Sequence, residues 1–351
     1  MAKVKVLIVD DSAFMRKILT DILSETNTIE VIGTAKNGQE ALDKIRALQP
    51  DLVTLDVEMP VMDGITALKH IVKEFSIPVV MLSSLTQSGA DLTLEALEIG
   101  AVDFITKPTS IFKINTDEIK NQLIDKILEA AKVKVAKVSK AKIQRRSVAR
   151  TSETCKKSTK LRNLIAIGTS TGGPRALQSV VPLLPGDMDA ALLIVQHMPV
   201  GFTKSLADRL NSMSAIDIKE AEHGDVLKPG CGYLAPGGHQ MEVVKKGSDF
   251  VIHLDDSRVV TGHRPSVDAM LYSIVEQNIK NTIGVIMTGM GADGKEGLIK
   301  LKDNGRVKII AQDEESCVVY GMPGSAVKAN AVDVIVPLSE IANEIMKAMG
   351  V

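Results

Sequence analysis

No apolar run in this 351-residue chain approaches the ~18 residues that a membrane-spanning helix needs, so insertion into a bilayer is not expected. A secretory signal is also missing, because Met1-Ala2-Lys3-Val4-Lys5-Val6-Leu7-Ile8-Val9-Asp10 runs straight into a strand pattern; a cytoplasmic protein is predicted. Cysteine is scarce. Cys155, Cys231 and Cys317 are scattered and odd in number, which excludes a clustered thiolate metal site and fits reduced thiols. Nor is there an excess of either charge: a formal net charge of -1 argues against a chain-wide nucleic-acid or membrane-surface role.

What is present is α/β alternation, over a length that suits two domains better than one. Residues 1–129 alternate apolar runs with helical patterns, the signature of a doubly wound parallel sheet. The runs are Val4 to Val9, Ile29 to Ile32, Leu52 to Leu55, Pro78 to Leu82 and Val102 to Ile105. Polar residues stand where these strands end: Asp10 and Asp11, Asp56, Ser83 and Ser84, and Lys107. Ligands of such sheets bind at the carboxyl edge near a switch point, so these residues can converge despite their separation in sequence. Converging carboxylates repel one another unless a cation sits among them, and hard oxygen donors suit Mg²⁺. A nearby lysine favours a phosphoryl group, and Asp56 is placed to accept one as an acyl phosphate.

Helical spacing from Ile119 through Leu123, Ile124, Ile127, Leu128 and Ala131 closes the first domain. Residues 130–160 then carry many lysines and arginines against the single acid Glu153, with few apolar anchors. They read as a basic, flexible linker. Without aromatics or an amphipathic stripe, the linker is not expected to bind nucleic acid or membrane.

Residues 161–351 again alternate strands and helices. Leu164-Ile165-Ala166-Ile167 leads into Gly168-Thr169-Ser170-Thr171-Gly172-Gly173-Pro174, a strand, tight turn and helix start that present Ser170 at a strand's carboxyl end. Gly168 to Gly172 matches the Gly-x-Ser-x-Gly elbow, although such a turn equally suits a phosphate cradle. Ala191 to Val195 forms a strand ending at His197, and Ile283 to Met287 another that empties into a glycine-rich loop holding Asp293. Between them, Gly230 to Tyr233, Ala235 to His239 and Phe250 to Leu254 suggest a β-hairpin excursion beside the sheet. Runs at Val307 to Ala311 and Val332 to Val336 and a final helix from Ser339 complete the layers.

Ser170, His197 and Asp293 thus each follow a separate strand and can meet on one edge as nucleophile, general base and orienting acid. A serine hydroxyl is protonated at neutral pH, so a base must take its proton during attack, and a carboxylate holds that base in the useful tautomer. The backbone N–H groups of Thr171 and Met290 are candidate oxyanion donors. A rival set joins Ser170 to Asp255 or Asp256 and His263, but no strand precedes His263 at a suitable distance. Singly, His197 reads as a polar strand cap and Asp293 as an N-cap for a helix beginning at Gly294. His70 and His253 read as surface or sheet residues, and His223 and His239 as loop residues that could line the cleft.

Two resemblances follow from these motifs. Val9-Asp10-Asp11-Ser12, Leu55-Asp56-Val57-Glu58-Met59-Pro60, Asp63-Gly64 and Thr106-Lys107-Pro108 resemble the response-regulator receiver domain, which is flavodoxin-like. The resemblance implies Asp56 as the phosphorylation site and Asp10, Asp11, Asp56 and the carbonyl of Glu58 as Mg²⁺ ligands. It also implies Ser83 as the hydroxyl meeting the phosphoryl group, Phe104 as the aromatic switch and Lys107 as the conserved-type cation.

The Ser170 loop, Gln196-His197-Met198-Pro199, Ala235-Pro236-Gly237-Gly238-His239, Gly262-His263-Arg264-Pro265-Ser266-Val267-Asp268 and Met287-Thr288-Gly289-Met290-Gly291-Ala292-Asp293-Gly294 resemble the catalytic domain of the CheB family of protein-glutamate methylesterases. That domain is Rossmann-like. The resemblance implies hydrolysis of γ-glutamyl methyl esters on chemoreceptor cytoplasmic helices, often with deamidation of receptor glutamines, and Ser170, His197 and Asp293 as the catalytic set. It implies no cofactor for the esterase chemistry and the chemotaxis histidine kinase CheA as phosphoryl donor. The unmodified receiver is expected to cover the esterase cleft and its phosphorylated form to uncover it.

Overall fold

A computed structural model describes residues 3–107, 117–133 and 161–350. The basic stretch of the expected linker falls mostly on residues 134–160, and Cys155 with it, outside the described residues. The chain divides into two compact units, Met1–Gln144 and Arg145–Val351.

The first unit holds five strands, β1 (Val4–Val9), β2 (Ile29–Ala35), β3 (Leu52–Asp56), β4 (Val79–Ser83) and β5 (Asp103–Thr106). They form one all-parallel sheet in the order β2-β1-β3-β4-β5. β3 and β4 are buried along their whole length, as strands covered on both faces by crossover helices must be. Short polar side chains start those helices. Ser12, Asn37, Asp63 and Thr86 each accept a backbone N–H of the first helical turn, supplying an acceptor to a donor that has none within the helix. The last helix of the unit spans Asp117–Lys132, close to its expected extent. Because β1 pairs with β2 on one side and β3 on the other, the switch point lies between β1 and β3, where Asp10 and Asp56 emerge.

The second unit is built on a seven-stranded parallel sheet of β6 (Asn163–Thr169), β7 (Ala190–Gln196), β8 (Asp217–Glu220), β9 (Cys231–Leu234), β12 (Thr282–Ile286), β13 (Val307–Gln312) and β14 (Val334–Val336). The order is β14-β13-β12-β6-β7-β9-β8. β7 is buried at every residue, so apolar side chains on both of its faces join the core. The hairpin excursion is present, but it consists of β10 (Gln240–Lys246) and β11 (Asp249–Asp255), antiparallel to each other. Gly230 to Tyr233 belongs elsewhere. Its strand β9 pairs in parallel with β7 and β8 and extends the main sheet, since a buried, parallel neighbour satisfies its backbone on both sides. No sequence signal marks β8, because Asp217–Glu220 has a single apolar residue, Ile218, among three charged ones.

No helix among the described residues is long and apolar enough to cross a membrane. Cys231 and Cys317 are half-buried, and neither forms a disulfide among the described residues.

Candidate active site

β6 lies between β7 and β12, so the strand order reverses about it, and the carboxyl ends of these strands are where such sheets bind ligands. Ser170 follows β6, His197 follows β7, and Asp293 lies in the loop after β12. Thr169 stands directly opposite Gln196 in the β6/β7 register, which sets Ser170 and His197 on neighbouring strand ends. The N–H of His197 donates to the carbonyl of Thr169 at 3.2 Å, and the N–H of Ser170 to the carbonyl of Thr288 at 3.1 Å. The helix Gly173–Val180 starts at once, with Pro174 in its first turn and Gly172 at a φ of 77° that a β-carbon would resist. A β-carbon on Gly173 would collide with Gln196 Oε1.

Asp293 is the electrostatic centre of the site. Its Oδ2 accepts from His197 Nε2 at 2.7 Å and from the N–H of Val267 at 2.7 Å. Its Oδ1 accepts from Thr261 Oγ1 at 2.8 Å, Ser266 Oγ at 2.8 Å and the N–H of Asp268 at 3.1 Å. Burial would raise its pKa, but the His197 hydrogen bond and charge, with the backbone donors of Val267 and Asp268, overcome that and hold the carboxyl well below the usual range. The alternative reading of Asp293 as a cap for the helix that follows it does not hold: Lys295–Lys302 begins after Gly294 with no side-chain cap. Instead Asp293 sits at the N-terminus of the helix Val267–Glu276, whose first N–H groups and dipole favour an anion. Asp268 reciprocates, its Oδ1 accepting from the N–H of Gly297 at 2.6 Å. The two helices are therefore locked by exchanged carboxylates. Burial pushes Asp268 up to about 6, against the lowering effect of its Gly297 hydrogen bond.

With Nε2 donating to Asp293, His197 presents Nδ1 as its basic nitrogen, and that atom is buried without a hydrogen-bond partner among the described residues. Ser170 is half-buried, and no hydrogen bond from its hydroxyl occurs among the described residues. The expected base and acid are thus in contact, while Ser170, the expected nucleophile, stands at the neighbouring strand end. One torsion, Ser170 χ1, moves the hydroxyl. The rival set does not assemble around a carboxylate: Asp255 accepts from Ser257 and pairs with Arg258, while His263 stacks on His197 with ring centroids 3.9 Å apart.

Of the two candidate oxyanion donors, Met290 has an N–H that bonds to nothing among the described residues. Its neighbour Gly289 is tied down through an N–H to Val319 and a carbonyl that accepts from Gly321 and Met322. Thr171 is buried, its carbonyl accepting from Thr288 Oγ1 at 2.9 Å.

Several supporting residues were named in sequence without a role. Gln196 donates through Nε2 to the carbonyls of Ser170 and His197 while its Oε1 accepts from Thr169, pinning both loops. Thr288, Thr261 and Ser266 act similarly. A readable signal existed for Ser266, which directly precedes an apolar helical run and caps it. None existed for Gln196, whose partners are decided by strand register.

In the first unit, carboxylate oxygens of Asp10, Asp11 and Asp56 lie within 4.8 Å of one another. Lys107 Nζ stands 2.9 Å from Asp10 Oδ2 and 2.6 Å from Asp56 Oδ2. This all-oxygen set, with exposed Asp11 at its open side, suits a hard divalent cation. Burial pushes Asp56 up to about 6, only partly offset by Lys107. The Glu58 N–H approaches Asp56 Oδ1 at 3.4 Å. Ser83 is turned elsewhere: its hydroxyl donates towards Gly89 and Ser84 and accepts from Thr93 at 2.7 Å. Phe104 is buried, with Lys126 Nζ over its ring and bonded to its carbonyl.

Residues 165–345 match the family described as CheB methylesterase, and residues 6–120 match the response regulator receiver domain. A protein-glutamate methylesterase/protein-glutamine glutaminase of Geobacillus kaustophilus is 48% identical over 350 residues, covering 100% of each chain. One of Bacillus subtilis is 47% identical over 347 residues, covering 97% of each. The catalytic domain of Thermotoga maritima CheB methylesterase aligns with a TM-score of 0.51 and 42% identity, over 54% of this chain and 98% of that one.

Proposed function

This chain belongs to the CheB methylesterase family, and we propose that it is a receiver-regulated hydrolase of γ-glutamyl methyl esters on chemoreceptors in the cytoplasm, with a glutaminase activity at the same serine. The observation that carries the esterase reading is the 2.7 Å bond from His197 Nε2 to buried Asp293, one strand away from the Ser170 turn. In this reading Ser170 Oγ attacks the ester carbonyl as His197 Nδ1 takes its proton. Asp293 stabilises the imidazolium, and the proton passes to departing methanol. Water then hydrolyses the acyl-enzyme by the same route. With an amide, ammonia leaves in place of methanol. In this reading the N–H groups of Met290 and Thr171 donate to the developing oxyanion.

Regulation starts at Asp56. At neutral pH a carboxylate with a pKa near 6 is ionised and can attack the phosphorus of a phosphodonor, the chemotaxis kinase CheA in the cell. The Asp10, Asp11 and Asp56 carboxylates and the Glu58 carbonyl would hold Mg²⁺, which when bound would offset the charge of the incoming group. Lys107 then follows the phosphoryl oxygens, and Ser83 leaves Thr93 to join them. Phosphorylation relieves inhibition by residues 1–129 on a catalytic domain of residues 161–351, joined by 130–160. Methanol release from methylated receptor, measured with and without a small-molecule phosphodonor, tests the proposal. Release that is raised by the donor is expected. No release from folded protein would overturn the esterase reading, and deletion of residues 1–129 without any gain would overturn the inhibitory one.

A further inference from the structure

His263 lies flat against the candidate base. The two imidazole rings are 3.9 Å apart at their centroids and inclined by 13°. Among the described residues the His197 ring makes one hydrogen bond, Nε2 to Asp293, and its Nδ1 has no partner. A single in-plane hydrogen bond leaves the ring free to rock about that bond, and rocking redirects Nδ1. A second constraint on the ring's face would remove that freedom, and His263 is the side chain that supplies one.

The loop bearing His263 is built to hold that position. Val260 and His263 exchange backbone hydrogen bonds at 3.3 and 2.9 Å across a tight turn. Within the turn Thr261 takes a φ of 53°, a left-handed conformation costly for a β-branched residue, followed by Gly262 at 79°. The turn places the Thr261 hydroxyl 2.8 Å from Asp293 Oδ1. From below, buried Gln240 donates to the carbonyl of His263 at 2.8 Å and accepts from the N–H of Ser266 at 2.8 Å. One loop therefore reaches both members of the pair: Thr261 and Ser266 fix the acid in its plane, and His263 meets the base on its face.

We propose that His263 is a positioning residue for the esterase, acting through its flat ring, which holds the His197 imidazole in the plane that points Nδ1 at Ser170. This rests on the esterase reading above and names a fourth side chain for it. The acceptable error in such a site is ~10–20° in ring orientation, and a displacement of ~1 Å can cost ~10²-fold in rate.

The test compares His263→Ala, His263→Gln and His263→Phe in the full chain with phosphodonor, each checked by circular dichroism and thermal melting, with Ser170→Ala as the blank. Methanol release from methylated receptor gives kcat and KM separately. We expect kcat to fall ~10–100-fold in His263→Ala and His263→Gln with KM within ~3-fold, and His263→Phe to recover most of the loss. An inactive wild type would instead remove the esterase reading itself. With an active wild type, the positioning role is overturned if His263→Ala keeps kcat within twofold. It is equally overturned if His263→Phe is as slow as His263→Ala, or if the loss appears in KM. Should the alanine variant fail to fold, the glutamine and phenylalanine pair still decides between a flat ring and a polar side chain.

Discussion

Asp56 and Asp293 occupy equivalent kinds of place and behave oppositely. Both are buried carboxylates at the carboxyl edge of a parallel sheet beside its switch point. Burial raises Asp56 to about 6, yet Asp293 is held well below the usual carboxylate range. The difference is in the donors. Asp293 accepts five hydrogen bonds, two of them from the first N–H groups of a helix and one from His197. Asp56 has one ammonium, shared with Asp10, whose own negative charge works against it. A carboxylate meant to stay an anion is surrounded by fixed donors. Asp56, proposed above to accept a phosphoryl group, is left incompletely compensated.

The largest expected effect lies on the esterase side. Ser170→Ala should lower methanol release by at least ~10³-fold while the far-ultraviolet dichroism is unchanged; turnover near wild type would end the serine mechanism. Next comes Asp293→Asn, for which kcat should drop ~10³–10⁴-fold because the amide can hold His197 in the wrong tautomer. The same residue predicts acid sensitivity. Its folded pKa is depressed, so the stability it contributes is present above the unfolded value of 3.8 and is lost as pH falls further. Thermal melting of the catalytic unit should therefore steepen in its pH dependence below ~4 in wild type and less so in Asp293→Asn.

On the receiver side the effects are smaller. Asp56→Asn, or a chelator added with the phosphodonor, should abolish phosphoryl labelling and the rise in methanol release while leaving basal release in place. A rise that survives chelation would dismiss the metal-assisted reading. Smallest is a shift in melting temperature. The raised pKa of Asp56 means that its contribution to stability is full below 3.8 and lost as pH rises through about 6. Asp56→Asn should thus melt a few degrees higher than wild type at pH 7.5, the gain fading towards pH 4; no gain at pH 7.5 would mean that Lys107 compensates the anion fully.

Runs such as Val4–Val9 and Ala190–Gln196 are apolar at nearly every position and bounded by polar loops, so parallel strands and their carboxyl ends were legible from residue order alone. That was enough to select Ser170, His197 and Asp293, and Asp10, Asp56 and Lys107, because chemistry-bearing residues at strand ends share one edge whatever the details of packing. Tertiary structure alone decided how Asp293 is held. Its partners Thr261, Ser266, Val267 and Asp268 lie at least 25 positions away along the chain, and no local pattern encodes which helix an acid will cap. The same holds for Cys231–Leu234, which joined the main sheet, and for the two stacked imidazoles. Strand formation follows from local apolar patterning, whereas donors, acceptors and ring faces are matched only once distant segments have been packed together.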